Sequence, residues 1–171
     1  MNQKVKTAFL SLFSAARFLS DCMDAELVKN RRAFYDYSIE DTFEAGVVLL
    51  GSEVKSLKNH GGSLQDAYVV VRQGELWLIA SSIAPYKMGS ASYNHEERRE
   101  RKLLMHQQEI EKLKRKVQEK GFTLIPLSFY LKKGKIKIAI AIAKGKKTYD
   151  KRKALQAKED KKAIQRALKG S

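Results

Sequence analysis

The stretch FYLKKGKIKIAIAIA, residues 129–143, decides the class of fold. Ile136, Ile138, Ile140 and Ile142 recur at every second position, with Lys137, Ala139, Ala141 and Ala143 between them. A period of two belongs to a strand, whose successive side chains point to opposite faces. The isoleucine row is expected to face a core, and the other row to form a smooth, basic outer surface. Lys133-Gly134 separates two β-rich runs, and the glycine can supply the positive φ that a tight hairpin turn requires. The same arrangement recurs in VVVRQGELWLI, residues 69–79, around Gln73-Gly74.

Outward from this hairpin, short apolar runs cut by glycine and polar pairs predict strands over 35–39, 43–50, 67–72, 75–81, 123–131 and 135–144. Two helices interrupt them. Asn94 and Glu97 have the spacing of a capping box. Leu103, Ile110, Leu113 and Val117 then form one apolar stripe that stops at Gly121. A shorter helix over 52–62 sets Val54 and Leu57 on one face and ends at Gly61 and Gly62. A sheet with so little helix to cover it must close on itself or leave open edges. The expected fold is therefore mainly β, a small antiparallel barrel with flanking helices.

At 171 residues the chain has room for one domain of ordinary size. Its 34 Lys and Arg against 19 Asp and Glu leave a formal charge of +15, which favours a polyanionic partner, nucleic acid or an anionic membrane surface. The single cysteine, Cys22, excludes an internal disulfide and suits a reducing cytoplasm. His60, His95 and His106 lack zinc-ligand spacing, so neither metal nor cofactor is expected. Residues 1–22 imitate a secretory signal, with Lys4 and Lys6 ahead of TAFLSLFSAA. Arg17 interrupts that run, which is too short for a membrane span, and Met23 offers an internal start. The expected division is a leader of unassigned role over 1–22, a folded body over 23–145 and a basic tail over 146–171.

From Lys144 to Ser171, eleven Lys and Arg stand against Asp150, Glu159 and Asp160, a net +8. The residue types favour helix, but a short isolated helix is marginal in water. The tail is expected to be disordered when free and helical when bound. Within AKGKKTYDKR, residues 143–152, Tyr149 can stack on an unpaired base while Lys146, Lys147, Lys151 and Arg152 neutralise phosphates. An aromatic set among cations points to RNA rather than to lipid.

Four segments carry a resemblance: DYSIEDTFEAGVVLLGSEVKSLK (36–58), GGSLQDAYVVVRQGE (61–75), ERRERKLLMHQQEIEKL (97–113) and QEKGFTLIPLSFYLKKGKIKIAIAIAKGKKTYDKR (118–152). EAG, GxEVKSL, RxRKLL and AKGKKxxDKR in this order resemble the bacterial SsrA-binding protein (SmpB) family from about residue 25 to 170. The resemblance implies a barrel with an embedded oligonucleotide-binding-type core. It also implies a cytoplasmic binding protein, a monomer on its RNA, that takes transfer-messenger RNA to stalled ribosomes for trans-translation. The body would hold the elbow of the RNA's transfer-RNA-like domain. The tail would occupy the decoding site and the vacant message channel.

Carried over residue by residue, the family motif implies RNA contacts at Asn30, Arg31, Arg32, Tyr37, Glu44, Lys58, Arg101, Lys102, Leu104 and Lys137. It implies ribosome contacts at Gly145, Lys146, Lys147, Tyr149, Asp150, Lys151, Arg152, Ile164 and Leu168. Tyr149 stands where many members have histidine. Glu44 is an acid facing RNA, a role open to a carboxylate that accepts from base amino groups or orients a cation. Two other readings compete. One is a general single-strand binder on the same kind of barrel. The other is an RNA-processing enzyme in which Glu40, Asp41 and Glu44 hold Mg²⁺, against which no histidine or serine partner has informative spacing.

Overall fold

Asn30 clamps three segments at once. A computed structural model of the chain describes residues 25–89, 94–119 and 121–146. The Asn30 side-chain carbonyl accepts from the Ala33 N–H at 3.1 Å, capping helix α1 (Arg31–Asp36), and its amide donates to the Leu64 and Pro126 carbonyls at 3.0 Å each. Its own backbone N–H donates to the Leu127 carbonyl at 2.7 Å. The Pro126 and Leu127 carbonyls are available because strand β8 (Phe122–Lys132) bulges between Pro126 and Ser128, and Pro126 has no N–H for the ladder.

The remaining strands are β1 (Ala25–Lys29), β2 (Tyr37–Val47), β3 (Gly62–Ser63), β4 (Tyr68–Arg72), β5 (Glu75–Ile79), β6 (Ser82–Ile83), β7 (Arg101–Leu104) and β9 (Lys135–Gly145), with helices α2 (Gly51–Lys58) and α3 (Gln107–Gln118). All pairings are antiparallel. The main sheet runs β1-β8-β4-β5-β7-β2-β9, and β9 pairs again with β8, so six strands close into a ring. The free half of the outer edge of β8 is occupied by β1, and β3 pairs with β6 in a separate ribbon. Closure satisfies the backbone groups that an open edge would expose.

Inside the ring lie Ile138, Ile140 and Ile142 with Ala45, Val69, Leu76, Leu78, Leu103, Leu124 and Phe129, and α3 adds Ile110 and Leu113. The alanine row of β9 departs from expectation. Ala139, Ala141 and Ala143 are fully buried with Ala33, Ile125, Leu127 and Tyr130, and Phe34, Tyr37 and Ile39 pack against them. The outer face of β9 is thus a second core under α1, and small side chains are what fits there. Only its ends, at Lys135 and Lys137 on one side and Gly145 on the other, reach solvent.

Three further expectations are corrected. The two strands read over 35–39 and 43–50 are one strand, β2, preceded by α1, and a bulge at Glu40 lets it continue. The helix read from Asn94 starts only at Gln107. Asn94 instead pins a loop, accepting from the Tyr86 N–H at 3.0 Å and donating to the Tyr86 carbonyl at 3.1 Å. Leu103 belongs to β7, where it points into the ring, so its step of seven to Ile110 is a coincidence of two elements. No helix among the described residues is long and apolar enough to cross a membrane.

Candidate nucleic-acid interface

The outer face of β2 carries Glu44 and Gly46, because their neighbours Phe43, Ala45 and Val47 turn into the ring. Gly46 lies between Lys137 on β9 and Leu104 on β7. A Cβ at Gly46 would come within 3.2 Å of the Leu104 Cβ, so the glycine is what lets Leu104 lie across the strand. Leu104 remains 52% exposed, an uncommon position for a large apolar side chain on a strand whose neighbour Leu103 is 2% exposed. Strand alternation decides between them, which helical spacing did not.

Glu44 is the centre of this face. Its Oε2 accepts from the Tyr130 hydroxyl at 2.6 Å and from Lys132 Nζ at 2.7 Å, and Lys137 Nζ stands 3.7 Å from Oε1. Burial pushes the Glu44 pKa up, but the hydrogen bonds from Lys132 and Tyr130 and the charges of Lys132 and Lys137 outweigh it and hold the carboxyl below its ordinary range. A groove of about 610 Å³ passes over the cluster, lined by Glu44, Gly46, Leu104 and Lys137 among others. An ionised carboxylate, two ammonium groups and an exposed leucine can meet base edges, phosphates and an unstacked base respectively.

A second groove of about 570 Å³ gathers Asn30, Arg32, Tyr37, Gly145 and Lys146. Here the chain leaves the last strand. Lys146 donates its backbone N–H to the Asp36 carbonyl and its ammonium to the Phe34 carbonyl, both at 2.9 Å, against the last turn of α1, where a cation is favoured. Arg32 is exposed but tethered to Asp36 at 3.0 Å. Tyr37 pairs with Gly145 and Gly46 with Lys137 along the same ladder. Nine residues at ~3.3 Å each separate the two grooves by roughly 30 Å.

The other predicted residues fall outside both grooves. Arg31 and Lys58 are exposed on α1 and α2. Lys102 is partly exposed on the face of β7 that carries Leu104 and pairs with Glu75. Two residues expected to touch RNA are enclosed. Asn30 is 8% exposed and spends its side chain on the clamp described above. Arg101 is fully buried; its Nε donates to Glu53 Oε1 at 2.9 Å, and its other nitrogens donate to Ser81, Arg99 and Glu97. Glu53 also accepts from Arg99 and from the Leu50 N–H at the start of α2. Burial works against the Glu53 charge, but those hydrogen bonds and the two guanidinium charges keep its pKa below the ordinary range. Sequence reasoning missed this network and the roles of Tyr130 and Lys132, because each depends on residues dozens of positions apart. Lys147, Tyr149, Asp150, Lys151, Arg152, Ile164 and Leu168 lie outside the described residues, as does the leader.

Glu40, at the β2 bulge, and Asp41 beside it are exposed, and Glu44 is committed to lysines. Among the described residues no group of three or more His, Cys, Asp or Glu is placed to hold a metal ion.

The family model described as SmpB protein matches residues 27–170. The SsrA-binding protein of Protochlamydia amoebophila is 58% identical over 145 residues, covering 85% of this chain and 94% of that protein. That of Chlamydia muridarum is 52% identical, covering 85% and 96%, and that of Trichormus variabilis is 51% identical, covering 84% and 92%. A solved structure described as "tmRNA-SmpB: a journey to the center of the bacterial ribosome" contains a chain with 44% identity and a TM-score of 0.61, over 70% of this chain and 84% of that one. The chain belongs to the SmpB family.

Proposed function

We propose that this SmpB-family chain binds transfer-messenger RNA, the SsrA RNA, and delivers it to stalled ribosomes for trans-translation. The groove over Glu44, Leu104 and Lys137 receives the transfer-RNA-like domain. The observation that carries this reading is the assembly of those three residues around Gly46, at the end of the β2–β9 ladder opposite the point where the tail departs. A body with its grip at one end and its tail leaving from the other, roughly 30 Å away by strand rise, can hold RNA outside a site that the tail enters.

On this reading the six-stranded ring is a small barrel around an oligonucleotide-binding-type core. The tail beyond Lys146, which is itself tied to α1, is disordered in the free protein and becomes helical among ribosomal phosphates. The chain acts by binding alone, as a cytoplasmic factor.

Pulling the protein from cells and sequencing its bound RNA tests the reading. SsrA RNA should dominate, and should win a competition against a random single-stranded oligomer at about 150 mM salt, where nonspecific phosphate contacts weaken steeply. Equal binding of both would instead favour a general single-strand binder. Cleavage of RNA that depends on Mg²⁺ would favour an enzyme.

A further inference from the structure

The turn between β8 and β9 concentrates positive charge at the end of the groove over Glu44. Its two residues, Lys133 and Gly134, both have positive φ, at 50° and 75°. Left-handed backbone is natural for glycine and tolerated by asparagine, but a lysine Cβ crowds the following carbonyl there. Immediately behind the turn, Lys132 stands directly opposite Lys135 in the ladder, and like charges in that position oppose pairing. Lys137 adds a fourth cation within six residues. By strand alternation Lys132, Lys135 and Lys137 share the outer face that carries Glu44. The groove over Glu44 therefore continues onto a cationic tip, with Lys132 held 2.7 Å from Glu44 and Lys133 and Lys135 exposed.

We propose that this tip is a second phosphate-binding element, in which Lys132, Lys133 and Lys135 take backbone phosphates of the RNA segment adjoining the one in the Glu44–Leu104 groove. The inference rests on the reading of that groove as the SsrA RNA site. Phosphate is the fitting partner because compact ammonium groups act as point charges without base selectivity. Glu44 complements the arrangement by positioning Lys132 at 2.7 Å and Lys137 at 3.7 Å, which offsets part of the repulsion among the lysines.

The matching turn at Gln73-Gly74, with φ of 51° and 78°, supplies an internal control. The test compares Lys133→Asn with Lys135→Thr in one double variant against Gln73→Asn, using the full chain and the transfer-RNA-like domain of SsrA RNA. Asparagine suits the turn and threonine suits the strand, so the unfolding midpoint of the double variant should be unchanged or raised. RNA affinity should nonetheless fall roughly five-fold per lysine at about 0.15 M salt, and the slope of log K against log salt should flatten by about one per lysine. Gln73→Asn should change neither affinity nor slope. Unaltered affinity and slope in the double variant, with the wild type still preferring SsrA RNA to a random oligomer, overturn the proposal and leave the groove reading intact. A wild type with no such preference overturns both.

Discussion

The hydroxyl of Tyr130 donates to Glu44 Oε2 at 2.6 Å across the intervening strand β9, so a buried phenol and a half-buried acid are locked together beneath the proposed RNA groove. This pair gives the folded state a pH signature. The folded pKa of Glu44 is lowered, so its contribution to stability is complete above the ordinary value of 4.5 and is lost as pH falls through the lower folded value. Tyr130→Phe should raise the Glu44 pKa back toward 4.5, read by NMR titration of the carboxyl, and cost about 1–3 kcal/mol as a charge-assisted hydrogen bond disappears. Glu44→Gln should shrink the acid loss of stability, with Glu53 accounting for what remains.

Leu104 is expected to separate binding from folding. Its side chain is half exposed, so Leu104→Ala should shift stability by no more than about 0.5 kcal/mol while RNA affinity drops by about ten-fold or more. Gly46→Ala should weaken binding similarly with Leu104 intact, because the added methyl group displaces that leucine. Retained affinity in both variants, measured by equilibrium titration, would remove the groove from the binding surface.

For Asn30 and Arg101 the expectation is the reverse, with large losses in stability and no change in the salt slope of RNA binding. Asn30→Ala removes a helix cap and leaves the Leu64 and Pro126 carbonyls without that donor, which together should cost about 2–4 kcal/mol. Glu53→Gln leaves Arg101 buried beside a neutral partner and should cost about 3–5 kcal/mol in denaturant unfolding. A loss of RNA affinity in Asn30→Ala at unchanged stability would restore it as an RNA contact.

Deleting the residues after Arg152 should leave affinity for SsrA RNA within about two-fold, since the grooves lie in the body, and abolish tagging on stalled ribosomes in a reconstituted translation assay. Equal loss of both activities would refute the separation of grip from probe.

The isoleucine repeat, the two glycine turns and the stop at Gly121 were legible because each is a local property of backbone period or φ. The family resemblance alone named Glu44, Leu104 and Lys137 as RNA contacts, and the register sets the three around Gly46. Helical spacing misled at Leu103, since a four-residue strand and a helix lie close enough in sequence to imitate one stripe. Arg101 misled for a related reason. A cation in a basic run looks solvent-bound until its acid, Glu53, is found 48 residues away.

By itself, the order of residues determined that this chain forms antiparallel strands, carries excess positive charge toward its end and belongs with RNA-binding relatives. Those properties are set by side-chain period, composition and motif, which need no distant contacts. Only the tertiary structure decided which faces of those strands are buried. Closure of the ring and the clamp at Asn30 bring α1 over β9, turn an outer alanine row into a second core, enclose Asn30 and Arg101, and leave Leu104 and the lysines around Glu44 to solvent. The reason is that burial belongs to pairs of segments, and a strand has no inside until its partners arrive.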